Sequence, residues 1–584
     1  MNNIREIIRL IPPDYRKRGI GVTFSVLLQA ILNFAGLALL IPLLILILDP
    51  QSIHSVSWVA KLRSGLHIGS DTAFAIVVCA GTGTLILLKN GLNVLINSFR
   101  VKYANQLFFY FSENMYATYF RKGFLFVKQN HATSFAHKIN GICFTFVQGI
   151  VSRIFVMGGE AILLLLTGGA LFFYSPFLAF ILILCLIPST WFYYFRIRKK
   201  ITHYGKLENE VWKKQMRLIT ETFRGYPEVR INHAFPLFAG HFRDGLTRIA
   251  YYREQLERMM SIPDGLTELG IAVGMILLVL FNRGDASMKV AFGFFAVAAM
   301  RMMPSVRILI TGWIQLKNNG YAVDTIRETL DASGDELSIS EDELSVPQTP
   351  VQFKQKIEIN GLTFRFPDSG AKEPPVINNF SLTIRKGERI GIRGASGIGK
   401  TTLFNLLLGL YSPSEGSIRM DGIPLDASRI SAWHDLIGYV PQDVFIMDGT
   451  LIENIAFGKT PEEIDQEQIK KILETVRLSD FVATLPEGVN SQTGENGCRL
   501  SGGQKQRIGI ARALYKQAEV LFFDEATSSL DSATEKEITE AIRELSDNHR
   551  ELTLIFIAHR ESSLVFCDRI IDLNTLCENY MLKN

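Results

Sequence analysis

Long apolar runs without charged residues occupy the first half of the sequence. Residues 19–48 are thirty consecutive positions without a charge, and a second apolar run covers residues 72–88 and continues past Lys89 to residue 99. An α-helix of about 20 apolar residues crosses the ~30 Å hydrocarbon core of a membrane. Each of these runs therefore predicts a transmembrane helix.

A third run, residues 161–195, has thirty-five uncharged positions, which is too long for one span. Tyr174-Ser175-Pro176 lies near its middle and predicts a turn. We interpret this run, with the residues before it, as two helices in a tight hairpin. Further helices are predicted at about 262–282 and 288–314, so the pattern predicts six membrane-spanning helices in all.

Basic residues cluster at particular ends of these helices. They precede the first helix and follow the second and fourth, whereas the first connecting loop has only Lys61 and Arg63. Because cytosolic loops are enriched in Lys and Arg, we expect the N-terminus and the connections near 100–145 and 196–260 to be cytosolic. Their amphipathic sequence predicts helices that extend out of the membrane.

The stretch 331–350 is acidic, poor in apolar residues and contains Ser, Pro and Gly, which is typical of a linker. We therefore predict a transmembrane domain at 1–330, a linker at 331–352 and a second domain, soluble, at 353–584. The whole-chain composition agrees with this division, because 48% of residues are hydrophobic while 20% are charged.

Charge and cysteine content exclude some functions. A net charge of +4 over 584 residues is too small to indicate a nucleic acid partner. The six cysteines have no spacing typical of zinc ligation. We interpret them as reduced structural thiols of a protein that faces the cytoplasm.

A phosphate-binding loop is predicted in the second domain. The strand-like residues 389–393 lead into Gly-Ala-Ser-Gly-Ile-Gly-Lys-Thr at 394–401, and an apolar helical pattern follows. In this motif the glycines let backbone N–H groups surround phosphate oxygens, Lys400 reaches the outer phosphates and the Thr401 hydroxyl ligates Mg²⁺. The expected phosphate-binding residues are Gly394, Ala395, Ser396, Gly397, Ile398, Gly399, Lys400, Thr401 and Thr402.

Two carboxylates end a second apolar strand, Val-Leu-Phe-Phe-Asp-Glu at 520–525. Asp524 is suited to hold Mg²⁺ through water, and Glu525 is suited to polarise the water that attacks a γ-phosphate. Both tasks are needed beside a phosphate loop when a nucleotide is hydrolysed. The combination therefore indicates a nucleotide hydrolase.

Leu-Ser-Gly-Gly-Gln at 500–504 resembles the signature sequence of the ABC ATPase family. The other motifs of that family are also present, in the expected order along the chain. They are Phe366 for adenine stacking, Gln442 of the Q-loop, which senses Mg²⁺, Ser501, Gly502, Gly503 and Gln504 of the signature, residues 528–531 of the D-loop and the switch residue His559. Asn496 departs from the pattern, since the exporter-specific segment before the signature usually has a basic residue there.

The resemblance implies a fold class and a function. The fold is expected to be an α-helical membrane bundle of six helices with long cytosolic extensions, joined to an α/β P-loop ABC ATPase domain. The expected ligands are ATP and Mg²⁺, with Thr401, Gln442 and Asp524 at the metal and Lys400, Glu525 and His559 in catalysis. An exporter half-transporter is implied, located in the bacterial cytoplasmic (inner) membrane with the ATPase domain in the cytosol.

The resemblance also implies a partner. In the family, ATP lies between the phosphate loop of one subunit and the signature of the other, so one polypeptide needs a second. Because the motifs needed for two competent sites are all present, we expect a homodimer. The tips of the cytosolic connections, near 129–137 and 222–230, are expected to contact the ATPase domain close to Gln442.

The substrate is indicated by charges within the apolar helices. The element Arg301-x-x-Pro304-Ser305 resembles a sequence element of bacterial flippases for lipid-linked oligosaccharides. Lys89, Arg301 and Arg307 are candidates for binding the anionic headgroup of such an amphipathic substrate among membrane lipids. The alternative is that these cations pair with Glu160 and Glu268. Export of hydrophobic peptides, lipids or drugs is the competing function, followed by an ATP-gated channel or regulator.

Overall fold

The structure is a computed structural model. It describes residues 2–39, 71–130, 132–280, 286–331, 352–367, 373–426, 428–526, 532–558 and 564–574. The predicted linker at 331–352 lies outside these residues except at its two ends.

The chain folds as two compact units. The helical unit comprises Met1–Arg121 and Asn130–Ser338, and the ATPase unit comprises Lys122–Gln129 and Ile339–Asn584. The contacts of the short segment Lys122–Gln129 thus make it part of the ATPase unit, although it lies within the transmembrane domain predicted at 1–330.

Long helices make up the helical unit. They are α1 (Asn2–Leu10), α2 (Pro13–Ala38), α3 (Asp71–Arg121), α5 (Ala132–Ala136), α6 (Cys143–Phe146), α7 (Ser152–Tyr174), α8 (Pro176–Phe192), α9 (Arg198–Arg224), α10 (Tyr226–Ile231), α11 (Phe235–Leu280), α12 (Ala286–Asn318) and α13 (Gly320–Asp331), with α4 (Gly123–Gln129) in the other unit. Three π-helical turns, at His137–Ile142, Val147–Val151 and Tyr193–Ile197, continue neighbouring helices.

The predicted hairpin is confirmed. Ser175 has an extended backbone (φ −154°, ψ 107°) and separates α7 from α8. The predicted extensions are helical, with breaks near their tips, and α3 runs for 51 residues and α11 for 46. Among the described residues, five helical stretches are long and apolar enough to cross a membrane, and the predicted fourth span, α8, is shorter at 17 residues. Pro304 lies inside α12.

The ATPase unit contains two sheets and the helices that pack on them. The strands are β1 (Lys356–Phe364), β2 (Ile377–Arg385), β3 (Arg389–Arg393), β4 (Glu415–Met420), β5 (Ile423–Pro424), β6 (Ile437–Val440), β7 (Val520–Asp524), β8 (Thr553–Ile557) and β9 (Arg569–Asp572). The helices are α14 (Lys400–Leu407), α15 (Ile430–Leu436), α16 (Leu451–Ile455), α17 (Gln466–Thr475), α18 (Ser479–Thr484), α19 (Gly502–Tyr515) and α20 (Ser532–Asn548). The antiparallel sheet has the order β2-β1-β4-β5, and the parallel sheet has the order β6-β7-β8-β3-β9.

Two hydrophobic clusters form the core of this unit. The first, which we call the sheet cluster, joins the antiparallel sheet to α14 through residues such as Phe404 and Trp433. The second, the helical cluster, contains side chains of α16 to α20, among them Ile508 and Ile542. Strand β6 contributes to both, because Ile437 lies in the sheet cluster and Val440 in the helical cluster.

The segment Lys122–Gln129 packs on the sheet cluster. Leu125 contacts its buried residues, and the ring of Phe124 lies 5.9 Å from the ring of Tyr411, measured between centroids. This segment overlaps the first predicted tip, 129–137, at Gln129. Contact of the two predicted tips with the neighbourhood of Gln442 stays a prediction.

One carboxylate holds the start of the ATPase unit. Asp421 accepts hydrogen bonds from the backbone N–H groups of Lys354, Gln355 and Lys356 at 2.6, 2.9 and 2.8 Å. Partial burial raises the pKa of Asp421, but donation by these N–H groups outweighs it and the net pKa is lowered. A lowered pKa means that the carboxylate stabilises the fold above its unfolded pKa of 3.8, and that this contribution is lost as pH falls below it.

We expect Asp421→Asn to lower the stability of the ATPase unit by about 1 kcal/mol, because the amide of Asn places a donor against backbone donors. Thermal unfolding of the purified chain measures this as a lower midpoint at pH 7. The difference from the wild type should shrink at pH values near and below 4, where the wild-type carboxyl also protonates. Asp426→Asn is the comparison variant. The Asp426 carboxylate accepts from the neighbouring Ser428 and Arg429, and its pKa is also lowered, chiefly by the Ser428 hydroxyl, so its loss should lower the midpoint less because these contacts join no distant elements. A pH-independent difference would contradict this role.

Candidate ATP site

The predicted motifs leave neighbouring strands of the parallel sheet at the same edge. Ile557 of β8 pairs with Ile392 of β3 on one side and with Asp524 of β7 on the other. Val440 of β6 pairs with Phe523 of β7. The phosphate loop, Asp524 and the segment of Gln442 therefore begin level with one another, because the carboxyl ends of parallel strands share one edge.

The phosphate loop connects β3 to α14, as predicted. Gly399 forms the N-cap of α14 with φ +104°, a conformation that favours glycine, and a Cβ there would lie 3.1 Å from the Val376 carbonyl oxygen. Lys400 is 5% exposed, and its ammonium donates to the carbonyls of Gly394 (2.8 Å) and Ala395 (3.0 Å). The cation thus lies inside the loop that would surround a phosphate.

The two carboxylates end the buried strand β7. Asp524 is 7% exposed and accepts a hydrogen bond from the Tyr439 hydroxyl at 3.4 Å. Glu525 is half-buried, has the left-handed backbone angle φ +49° and donates its N–H to the Ile557 carbonyl at 2.9 Å. A non-glycine residue in this conformation stores strain, which is frequent at functional sites.

The charges of the site interact with one another. Burial raises the pKa of Asp524 and the neighbouring Glu525 charge raises it further, while Tyr439 and Lys400 oppose the rise. Burial lowers the pKa of Lys400, which the charges of Glu525 and Asp524 partly offset. The three residues predicted at the metal, Thr401, Gln442 and Asp524, all offer side-chain oxygen atoms. Such a set fits Mg²⁺.

An aromatic group contains the residue predicted to stack on adenine. The ring of Phe366 lies 5.1 Å from that of Phe364 and 6.1 Å from that of Tyr411, and Phe364 stacks on Tyr411 at 5.3 Å. Tyr411 also contacts Phe124. Phe366 is therefore held by the same rings that receive the segment Lys122–Gln129.

The signature begins a different helix. Ser501 is the N-cap of α19, and its hydroxyl accepts from the N–H of Gln504, whose side chain accepts from the N–H of Ser501. This reciprocal pair is a capping box. The buried side chains of α19 belong to the helical cluster, whereas those of α14 belong to the sheet cluster. Different cores thus position the signature and the phosphate loop.

Some predicted residues lie outside the described part of the chain, and one contact was not predicted. His559 and the D-loop residues 528–531 are not described, although β8 ends two residues before His559. Asn574 accepts a hydrogen bond from the N–H of Ala395 at 3.0 Å and so supports the phosphate loop. No motif marks Asn574, because its contact joins positions 179 residues apart.

The three candidate cations of the helical unit lie in different environments. Arg301 is 3.9 Å from the Glu160 carboxylate, which also accepts from the Ser305 hydroxyl at 2.6 Å. The side chain of Lys89 lies against Gly36 of α2. Arg307 is exposed on α12. Of the two predicted acidic partners, Glu160 thus has the expected contact with Arg301, and Glu268 is exposed on α11.

Polar residues that the sequence did not single out also lie between the helices. Asn93 of α3 donates to Asn33 of α2 at 2.9 Å. A cavity of about 150 Å³ is lined by Gln29, Asn33, Arg100 and Glu160 together with apolar residues of α2 and α7. Polar groups at membrane depth are costly and usually face the bundle interior, as these do.

Curated relatives cover both units of the chain. An ATP-dependent lipid A-core flippase of Burkholderia orbicola (strain AU 1054) is 27% identical over 525 residues, which cover 87% of this chain and 83% of the relative. Proteins of the same description are 30% identical in Saccharophagus degradans, over 68% of this chain and 64% of the relative, and 33% identical in Alkalilimnicola ehrlichii, over 61% of this chain and 59% of the relative.

A family model and a solved structure agree with these relatives. The family model described as ABC transporter matches residues 377–528, which include the phosphate loop, Gln442, the signature and Glu525. A bacterial Atm1-family ABC exporter with ATP bound has the same fold, with a TM-score of 0.72 and 21% identity over 95% of this chain and 93% of that chain. The fold class predicted from the sequence is confirmed. The chain thus contains an ABC transporter ATPase domain, is homologous to the lipid A-core flippases and has the exporter half-transporter architecture, in which a helical unit is fused to one ATPase domain.

Proposed function

We propose that this chain is half of an ATP-driven pump that exports or flips an amphipathic lipid-linked substrate across the bacterial cytoplasmic membrane. One observation carries the proposal: a parallel sheet that aligns the phosphate loop with the buried Asp524 and the adjacent Glu525 is fused to helices long and apolar enough to span a membrane. In this arrangement, ATP hydrolysis drives the transport of a substrate that is bound by the helices. The N-terminus and the ATPase domain are cytosolic in this proposal.

The same proposal assigns the three divisions of the chain. Residues 1–330 form the transmembrane domain, 331–352 the linker and 353–584 the nucleotide-binding domain. The segment Lys122–Gln129 belongs to the first division in sequence but is part of the ATPase unit, in which Leu125 and Phe124 pack on the sheet cluster and on Tyr411. It is suited to transmit motion between ATP site and membrane helices, because Tyr411 links it to Phe366.

Each residue of the ATP site has a task in the proposed reaction. Backbone N–H groups of residues 394–401 bind the phosphates, Lys400 balances the charge of the outer two, and Phe366 stacks on adenine. Glu525 accepts a proton from the attacking water, and His559 contacts the γ-phosphate. Thr401, Gln442 and Asp524 would hold Mg²⁺, which would supply positive charge to the phosphate oxygens.

Glu525→Gln should lower the rate of ATP hydrolysis by about 10²-fold or more and leave ATP binding intact, because the water loses its base while the phosphate loop is unchanged. The ATP-bound closed dimer should then accumulate. Lys400→Ala is the contrasting variant and should weaken ATP binding itself. Steady-state ATPase and nucleotide affinity of the purified variants measure both effects. Near-normal turnover by Glu525→Gln would refute the assignment.

A second copy of the chain completes the site in this proposal. The signature and the phosphate loop are positioned by separate clusters of the same unit, and the signature serves the ATP bound by the other copy. The relatives with flippase descriptions and the Atm1-family exporter support this arrangement. The motifs required for two equivalent sites are all present in the sequence, which favours a homodimer over a heterodimer.

The chain expressed alone should purify as a dimer that hydrolyses ATP. Mass photometry in nanodiscs measures the assembly, and ATPase activity measures its competence. Mixing inactive Lys400→Ala chains with inactive Ser501→Arg chains should restore part of the activity, because one of the two sites then has an intact loop and an intact signature. A stable monomer, or activity only after a second gene product is added, would contradict the homodimer.

The substrate assignment rests on the relatives and on intramembrane charge. The relatives are described as lipid A-core flippases, which agrees with an amphipathic substrate that has an anionic headgroup. Lys89, Arg301 and Arg307 are the proposed contacts. The pairing of Arg301 with Glu160 favours the alternative for that one residue, since a paired cation is less available to a headgroup.

Arg301→Ala separates these two roles. If Arg301 binds the headgroup, the variant should fold, keep its basal ATPase and lose stimulation by lipid A-core or lipid-linked oligosaccharide. If the pair is structural, the variant should fold poorly, because Glu160 remains as an unpaired charge at membrane depth, and Arg301→Ala/Glu160→Gln should restore folding. Arg307→Ala is the matched variant. Normal stimulation by both single variants would exclude the headgroup role, and stimulation by a hydrophobic peptide alone would favour the competing substrate class.

A further inference from the structure

Asn454 is a fully buried polar residue that no motif of the ATP site includes. It lies in α16 with 0% exposure. Its side-chain carbonyl accepts from the N–H of Met447 at 2.8 Å, and its side-chain NH₂ donates to the carbonyls of Met447 and Thr450, each at 3.0 Å. One amide thus pairs with both backbone groups of Met447, as a neighbouring strand would. It fixes the shape of residues 443–450, the segment that follows Gln442.

Arg512 attaches this segment to the signature helix α19. Its Nε donates to the backbone carbonyl of Asn454 at 2.9 Å, and its Nη2 donates to the carbonyl of Phe445 at 3.0 Å. The guanidinium also lies over the ring of Phe457 at 4.7 Å. A planar guanidinium can hold two carbonyls at fixed positions, which an ammonium group cannot do with the same geometry.

Further contacts complete the attachment. Gln506 of α19, 3% exposed, donates to the carbonyl of Gln442 at 2.8 Å. The Thr493 hydroxyl is within hydrogen-bond distance of the carbonyls of Met447 (3.1 Å) and Gly449 (2.9 Å). Gly509 lets α19 approach Val444, since a Cβ there would be 3.1 Å from that side chain. The signature helix therefore holds residues 442, 444, 445 and 454 of the segment, and Thr493, which precedes that helix, holds residues 447 and 449.

The segment also carries exposed apolar side chains, and Phe457 lies three residues beyond its end. Phe445 is 59% exposed, Met447 is 37% exposed and Phe457 is 49% exposed. Arg512 and Phe457 also line a cavity of about 680 Å³ beside Tyr439 and Lys516. Arg512 is therefore partly accessible to solvent through this cavity, and it is also bonded to the carbonyl of the exposed Phe445.

We propose that Asn454 and Arg512 are positioning residues that join segment 442–454 and the signature helix into one rigid body. A displacement of the exposed Phe445–Met447 surface then moves Ser501 with it, while the phosphate loop remains on the sheet cluster. The effect on turnover rests on the proposed function, because Ser501 must act on ATP held by the second copy. The rigid connection itself does not depend on it.

The test compares Asn454→Ala with the wild type as full chains in nanodiscs. Hydrogen exchange should show the Met447 amide and its neighbours in 443–449 exchanging about tenfold faster or more, because a buried acceptor is lost. The kcat for ATP should fall by about tenfold, whereas KM should change little, since no contact of the phosphate loop is altered. Arg512→Lys should reproduce this split, because the lysine cannot hold both carbonyls.

Gln468→Ala is the matched control. Its amide donates to the Tyr515 carbonyl at 3.1 Å and so bonds the far end of the same helix without touching the segment. It should change neither exchange at 443–449 nor kcat. The double variant Asn454→Ala/Arg512→Lys should be little worse than the worse single variant, as expected for one connected network.

Several outcomes would overturn the proposal. These are unchanged exchange at 443–449 in both single variants, faster exchange with normal kcat, or an equal effect of Gln468→Ala. If Asn454→Ala does not fold, Arg512→Lys decides the question by the same measurements. A wild-type chain without ATPase activity would refute the proposed function instead, and the exchange comparison would still decide whether the rigid connection exists.

Discussion

The register of the parallel sheet is the constraint on which the ATP site depends. Ile557 pairs with Ile392 and with Asp524, so the ends of β3, β7 and β8 lie level. A shift of one residue between two strands would move Asp524 away from the phosphate loop and turn its side chain to the other face. The fully buried residues of β7 and β8 oppose such a shift, because it would bring the polar strand ends into the core. Chemistry at this edge thus follows from hydrophobic packing within the sheet.

The two hydrophobic clusters of the ATPase unit position different parts of the ATP site. The sheet cluster holds the nucleotide, through α14 and the rings around Phe366, and the helical cluster holds the signature. Strand β6 belongs to both and leads directly to Gln442. A segment that lies between the two clusters can move relative to the sheet cluster while it stays bonded to the helical cluster. The hydrogen bonds of Asn454, Gln506 and Arg512 place the segment after Gln442 on the helical side.

The sequence was sufficient for the features that depend on local pattern. Glycines, a lysine and a strand-to-helix change identify the phosphate loop, and Ser175 before Pro176 identifies the break in the hairpin. Contacts between distant positions left no such pattern. Asn454 is one polar residue in a short helix, Asn574 contacts a loop 179 residues away, and Leu125 is one apolar residue of an amphipathic connection. Their partners are set by how the elements pack, so only a three-dimensional structure identifies them.

The proline inside α12 changes how that helix responds to force. Pro304 has no N–H to donate to the carbonyl of Met300, so one bond of the helical ladder is absent there. The next residue, Ser305, is bonded to Glu160 of α7, and Arg301 lies near the same carboxylate. Helix α12 is therefore easiest to bend at the point where Ser305 bonds it to α7. Bending stress applied to either end of α12 concentrates at this joint, where the bond from Ser305 to Glu160 and the packing of Met302 beside Leu171 oppose movement.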